Sequence, residues 1–205
     1  MYFLCESMRY RNRYWFYDKI IPERICDEIV YFFKNKQKKK ATVGDDKVNK
    51  LNPKIRQSSV VFDRENLWID HLINPFIKNA NIKSGWKFDI DYPETHQFTE
   101  YKINQHYNWH SDGHDKPYNT KDFRNNKIRK LSLSLCLSNE NSYEGGNLLF
   151  SALNPSNKRE IFTIKKMRGK GSLIVFPSYT LHKIEPVTKG TRHSLVIWYL
   201  GNPYR

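Results

Sequence analysis

Two patterns divide the chain. The first third carries apolar residues at helical spacing, and the rest alternates between apolar and polar positions. Pro22 suits the first position of a helix, and ERICDEIVYFFKN (23–35) then sets Ile25, Ile29 and Phe32/Phe33 on one side. NLWIDHLINPFIKNAN (66–81) repeats that spacing, with Pro75 predicted to kink or divide it. Strands are predicted at YWFYD (14–18), RQSSVVFD (56–63), WKFDI (86–90), HQFTEYKI (96–103) and HYNWHSD (106–112). LSLSLCLS (131–138) is the clearest, because Leu131, Leu133, Leu135 and Leu137 share one face and Ser or Cys fills the other. In NENSYEGGNLLF (139–150) the Gly-Gly pair marks a tight turn into a further strand. EIFTIKK (160–166), GSLIVFP (171–177), the segment around His182 and RHSLVIWYL (192–200) complete the series.

Two helices before roughly eight strands imply an α+β fold. We expect a jelly-roll, or double-stranded β-helix, core with the N-terminal helices packed on one side. A length of 205 residues suits one domain, with helical support over about 14–81 and a β core over about 86–201. ATVGDDKVNK (41–50) reads as a loop. DGHDKPYNTKDFRNNK (112–127) is a long polar loop of the kind that carries a lid or substrate contacts. No internal repeat is visible.

Composition narrows the partners. The net charge is +14, part of it in KNKQKKK (34–40), which reads as a solvated, mobile loop ahead of a patch for an acidic partner. A basic chain attracts anions, yet no signature for specific nucleic-acid reading is present. No apolar run is long enough to span a membrane, and the N-terminus lacks the stretch and cleavage site of a signal peptide. Cys5, Cys26 and Cys136 are odd in number and widely spaced, which predicts free thiols in a reducing cytoplasm.

The chemistry centres on four residues. His110 and Asp112 lie two apart in YNWHSD, so in a strand they project to the same side. His182 follows the SLIVFP strand, and the Pro177-Ser178-Tyr179 turn can swing it towards that pair. Two imidazoles and a carboxylate suit a non-haem Fe(II) with open positions, with zinc as the chemical rival. Arg192 begins a strand and shares its face with Ser194, Val196 and Trp198. Its guanidinium matches a carboxylate with two parallel hydrogen bonds, and Ser194 can add a hydroxyl donor. His106 lies on the same strand face as His110 and reads as a non-ligand, His114 as a loop residue, and His193 as facing away from Arg192.

These stretches resemble the Fe(II)/2-oxoglutarate dioxygenases, in particular the prolyl 4-hydroxylase-like branch with its small bacterial and phage members. The likeness rests on YKINQHYNWHSD (101–112), RKLSLSLCLSNENSYEGGNLLF (129–150) and KGSLIVFPSYTLHKIEPVTKGTRHSLVIWYLG (170–201), with a looser match over 16–30. It implies Fe(II) on His110, Asp112 and His182, 2-oxoglutarate as cosubstrate with its far carboxylate on Arg192, and O2. Ascorbate is a candidate accessory. Tyr101 matches a tyrosine that reaches the cosubstrate, and Trp198 an aromatic residue of the pocket wall. Leu135 stands where some prolyl hydroxylases place a second pocket tyrosine. The implied substrate is a proline-containing peptide or protein. Other hydroxylation targets, nucleic-acid demethylation and a non-catalytic barrel are progressively weaker readings.

Overall fold

The computed structural model describes residues 12–43, 50–113, 116–154 and 156–204. Cys5, His114 and the centre of the 41–50 loop fall outside them. In chain order the elements are β1 (Trp15–Tyr17), α1 (Glu23–Lys34), β2 (Lys39–Lys40), β3 (Arg56–Gln57), β4 (Ser59–Asp63), α2 (Leu67–Lys83), β5 (His96–Tyr101), β6 (His106–His110) and β7 (Ile128–Cys136). β8 (Tyr143–Gly145), β9 (Leu148–Leu153), β10 (Arg159–Thr163), β11 (Leu173–Pro177), β12 (Leu181–Ile184), β13 (Val187–Gly190) and β14 (Arg192–Gly201) follow. A 7-stranded sheet runs β1-β11-β7-β14-β5-β4-β2, and a 5-stranded sheet runs β10-β9-β12-β6-β3. β8 and β13 form a small third sheet. The strand pairs are antiparallel. The two helices lie on the outer face of the large sheet, which is the jelly-roll-with-helices arrangement expected.

Alternation sorts the interior into two cores. Leu131, Leu133, Leu135 and Leu137 face the helices, where they meet Ile29 and Phe33 of α1 and Ile69, Ile73 and Ile77 of α2. Phe33 stacks on Phe98 of β5 at 5.2 Å. Cys136, Ile174 and Phe176, one step along the same strands, face the small sheet and pack with Phe150 and Ile184. Each fully buried Leu contributes about 1.5–3 kcal/mol through the water it sheds. The outer face of the large sheet is thus glued to the helices, and the inner face is free to carry polar groups.

Several expectations are corrected. WKFDI (86–90) is not a strand: Lys87 takes a positive φ of 51°, and the Asn81 side chain bonds both the N–H and the C=O of Phe88 in place of a strand partner. RQSSVVFD is not one strand but two, β3 in the small sheet and β4 in the large one, with the chain crossing between them at Ser58. EIFTIKK ends as a strand at Thr163, and a 3-10 turn occupies Lys165–Arg168. Pro75 does not divide α2, which runs on to Lys83. Leu135 cannot hold the place of a pocket tyrosine, because it lies in the helix-side core and Cys136 faces inwards instead.

The lysine run is also more ordered than a mobile loop. Lys36 pairs with buried Asp63, and Lys38 donates to Glu100 Oε2 at 2.6 Å. Lys39 and Lys40 form the edge of the large sheet opposite Val60 and Ser59, where lysines discourage further strand addition. Burial would push the Glu100 carboxyl up, but Lys38 and His193, hydrogen-bonded to it, outweigh burial and hold it below its ordinary value. The same balance with Lys36 and Asn66 lowers Asp63.

Two outcomes follow. Leu133→Ala should cost about 2–5 kcal/mol, whereas Ile161→Ala, at a residue 58% exposed on edge strand β10, should stay within about 0.5 kcal/mol of wild type. Urea unfolding of the two variants checks both. A depressed carboxyl stabilises the fold above its unfolded pKa of about 4.3 and ceases to as the pH falls through the lower folded value. Lys38→Met should therefore lose about 1–3 kcal/mol at pH 7, and its deficit against wild type should shrink as urea titrations are taken to about pH 3. An equal deficit at both pH values would refute the ion-pair account.

Candidate metal centre

His110 ends β6 and His182 lies in β12, and the two are direct Cα partners in that antiparallel pair. Side chains of directly opposed residues sit on the same face of a sheet, and here the imidazole centroids are 4.1 Å apart. Asp112 joins them because the chain after β6 turns back onto the β11–β12 corner. The N–H groups of Asp112 and Gly113 both donate to Ser178 C=O, at 2.9 and 2.7 Å. A Cβ on Gly113 would meet the Ser178 backbone at 3.3 Å, so a glycine keeps this approach close. One Asp112 oxygen lies 3.7 Å from His110 Nε2 and the other 3.7 Å from His182 Nε2. One nitrogen or oxygen atom from each of the three residues falls within 4.8 Å of the others.

The imidazoles are held in one tautomer. Nδ1 of His110 donates to Asn108 C=O at 2.8 Å, and Nδ1 of His182 donates to Thr180 C=O at 2.9 Å. With the proton fixed on Nδ1, both Nε2 lone pairs point at Asp112, as metal ligation requires. Desolvation and the adjacent His182 push the His110 imidazolium pKa down to about 3, so the ring is neutral at physiological pH. Burial would raise the Asp112 carboxyl, but His182, His110 and Arg129 outweigh it and hold it ionised. Tyr107 stacks on His110 with centroids 3.4 Å apart, and Phe176 meets the His182 ring at 4.9 Å. The donor set of two imidazoles and one carboxylate fits a divalent metal of the Fe(II) type.

A narrow slot leads from this cluster to Arg192. Arg192, Ser194, Val196 and Trp198 line it from β14, while Leu195, Ile197 and Tyr199 between them face the helix-side core. Arg192 is 1% exposed, and its Nη1 donates to Ser194 Oγ at 3.2 Å. It takes part in no ion pair among the described residues. The Gly145-Gly146 turn presses on its stem: Gly146 has φ +60°, and a Cβ there would lie 3.0 Å from Arg192 Cδ. Tyr101, opposite Arg192 in β5, also lines the slot, and burial raises its hydroxyl so that it stays a donor. His193 faces the other way, against Phe98 and Glu100. His106 bonds Asn104 C=O at 3.3 Å and is not part of the cluster.

Outside the slot, a cleft of ≈ 780 Å³ opens onto the same metal cluster. Arg129 and Glu94 form its floor with a two-pronged ion pair at 2.6 and 3.1 Å, and the guanidinium lies 3.8 Å above the Trp198 ring. The pattern of the chain did not single out Tyr107, Glu94, Arg129 or Arg56, which also lines this cleft. Only the arginine opening β7 had a visible signal, as a charge heading an apolar strand. A separate cavity of ≈ 510 Å³ beside Trp86, Leu153 and Tyr179 contains none of the cluster residues. Cys26 and Cys136 are buried free thiols. No described helix is long and apolar enough to cross a membrane.

Comparison with known proteins agrees with this geometry. Residues 96–200 match the family model described as the 2OG-Fe(II) oxygenase superfamily. A PKHD-type hydroxylase of Prochlorococcus marinus (strain NATL2A) is 28% identical over 160 residues, covering 78% of this chain and 59% of the relative. A PKHD-type hydroxylase of Herminiimonas arsenicoxydans is 32% identical over 102 residues, 49% of this chain and 41% of that protein. The chain therefore spans less than two thirds of the length of these relatives. Among solved structures, a Pseudomonas putida prolyl-4-hydroxylase superposes with a TM-score of 0.63 at 16% identity, covering 93% of this chain and 94% of that one. A prolyl hydroxylase from Trichoplax adhaerens, in complex with a hypoxia inducible factor peptide fragment, gives 0.68 at 15% identity over 92% and 83%. These likenesses establish a prolyl-hydroxylase-like fold. The family match spans β5 to β14, which hold His110, Asp112, His182 and Arg192, and by it the chain belongs to the 2OG-Fe(II) oxygenase superfamily.

Proposed function

We propose that this chain is an Fe(II)- and 2-oxoglutarate-dependent hydroxylase of peptides or proteins, with prolyl residues as its target. One observation carries the reading. A fully buried guanidinium, Arg192, has no carboxylate partner among the described residues and shares a slot with two imidazoles and an ionised aspartate. A buried charge without a counter-charge is costly, and a dicarboxylate cosubstrate supplies one.

His110 Nε2, Asp112 and His182 Nε2 would hold the Fe(II), and Arg192 with Ser194 would take the far carboxylate of 2-oxoglutarate as a forked acceptor. When bound, the metal and cosubstrate convert O2, 2-oxoglutarate and a C–H bond into succinate, CO2 and an alcohol. The protein's share is to position and to exclude water. Asn108 and Thr180 carbonyls fix the imidazole tautomers, and the protonated Tyr101 hydroxyl offers a donor. Trp198 walls the slot, and its buried Nε1–H has no hydrogen-bond partner among the described residues, so it is available to a bound ligand. The outer cleft is rich in aromatic rings, with Trp109, Tyr118 and Phe123 beside Trp198. Such surfaces suit extended, proline-containing chains. The relatives' names, PKHD-type hydroxylase and prolyl hydroxylase, support the same substrate class.

Succinate release from 2-oxoglutarate, Fe(II), ascorbate and O2 in the presence of proline-rich peptides tests the reaction. His182→Ala should abolish it, and Arg192→Ala should raise the 2-oxoglutarate requirement by about tenfold or more, the loss expected for a charge-assisted fork. Succinate that persists in His182→Ala would refute the assignment. Mass spectrometry of the peptides should show one added oxygen on proline. Succinate without any oxygen on proline would sink the prolyl target and leave the oxygenase standing.

A further inference from the structure

The roles assigned above leave one strong donor of the outer cleft unused. Arg56, in β3, is 8% exposed and lines the cleft. Its Nε donates to Ser58 Oγ at 3.2 Å, and its guanidinium lies 4.5 Å from the Tyr107 ring centroid. Its Nη2 is buried with no hydrogen-bond partner, and Arg56 enters no ion pair among the described residues.

The other arginines of the cleft are matched. Arg129 forks onto Glu94. Arg124 is paired with Asp122 and Glu94. Asp112 belongs to the cluster with the two imidazoles. Arg56 is also close to the chemistry: it pairs across the sheet with Tyr107, whose ring stacks on His110. A buried guanidinium is tolerated when an anion completes it, and a chain of net charge +14 attracts anions.

We propose that Arg56 is a specificity-determining residue that binds a carboxylate of the substrate, so that the preferred acceptor carries an acidic group beside the carbon to be hydroxylated. This rests on the oxygenase reading above. The carboxylate comes from an Asp or Glu side chain or from a chain terminus, and the test separates the two.

The Fe(II)–2-oxoglutarate complex of the full chain would be prepared without oxygen and titrated with proline-centred peptides, following the change in its absorption band. One set carries Glu on either side of proline and a matched set carries Gln. Each Gln peptide is made with a free and an amidated C-terminus. We expect the Glu set, or the free-terminus set, to bind about tenfold tighter than its uncharged counterpart, typical of a charge-assisted contact. Arg56→Gln should level the two, and Arg56→Lys should keep part of the difference while still forming the band. Equal binding of charged and uncharged peptides would overturn the proposal, as would absence of binding or a preference that survives Arg56→Gln. So would an Arg56→Gln effect on 2-oxoglutarate alone, which would assign Arg56 to the cosubstrate. Failure of the band to form in wild type would instead remove the oxygenase reading beneath it.

Discussion

The contact between His110 and His182 across the β6–β12 ladder is the constraint on which the site depends. Register in a sheet is all or nothing: a slip of one residue would turn either imidazole to the opposite face. Three features pin it. β12 is held on its other side by β9, Asp112 and Gly113 are tied to Ser178 at the corner before β12, and Phe176 and Tyr107 flank the rings. The two imidazoles are therefore placed by backbone pairing, and Asp112 by the turn that Ser178 C=O anchors.

Charge is distributed with equal economy. Asp112, Arg129, Glu94 and Arg192 are all buried or nearly so, yet each has a defined counterpart or a defined vacancy of charge. Glu94 neutralises Arg129 and stations it over Trp198. Arg192 and Arg56 are the buried arginines without an acid among the described residues, one at the end of the inner slot and one in the outer cleft. That separation fits two anionic ligands, a cosubstrate within and an acceptor outside. The helix-side core of Leu131, Leu133, Leu135, Phe33 and Ile73 holds the large sheet rigid behind them.

Much of this was legible in the chain because strand alternation is a local rule. The Leu/Ser pattern of β7 and the run from Arg192 to Trp198 state which side chains share a face, whereas the strand predicted to 112 ends at His110 and a turn brings Asp112 to it. The helices were legible for the same reason. What escaped were features that depend on distant partners. WKFDI reads as a strand until the Asn81 side chain takes the Phe88 backbone groups. The lysine run reads as a loop until Asp63 and Glu100 receive its ammonium groups. RQSSVVFD reads as one strand because nothing local marks the crossing between sheets that brings Arg56 to the cleft. The pocket-facing position on β7 was misplaced by a single residue, Leu135 for Ser134, and in a strand one residue is a change of face.

The central claim is that one buried constellation takes both a divalent metal and a dicarboxylate. A crystal structure with Mn(II), as a redox-inert stand-in, and 2-oxoglutarate tests it most directly. The account predicts the metal on His110 Nε2, Asp112 and His182 Nε2, with the cosubstrate's far carboxylate forked onto Arg192. Metal bound elsewhere, or 2-oxoglutarate seated away from Arg192, would contradict it.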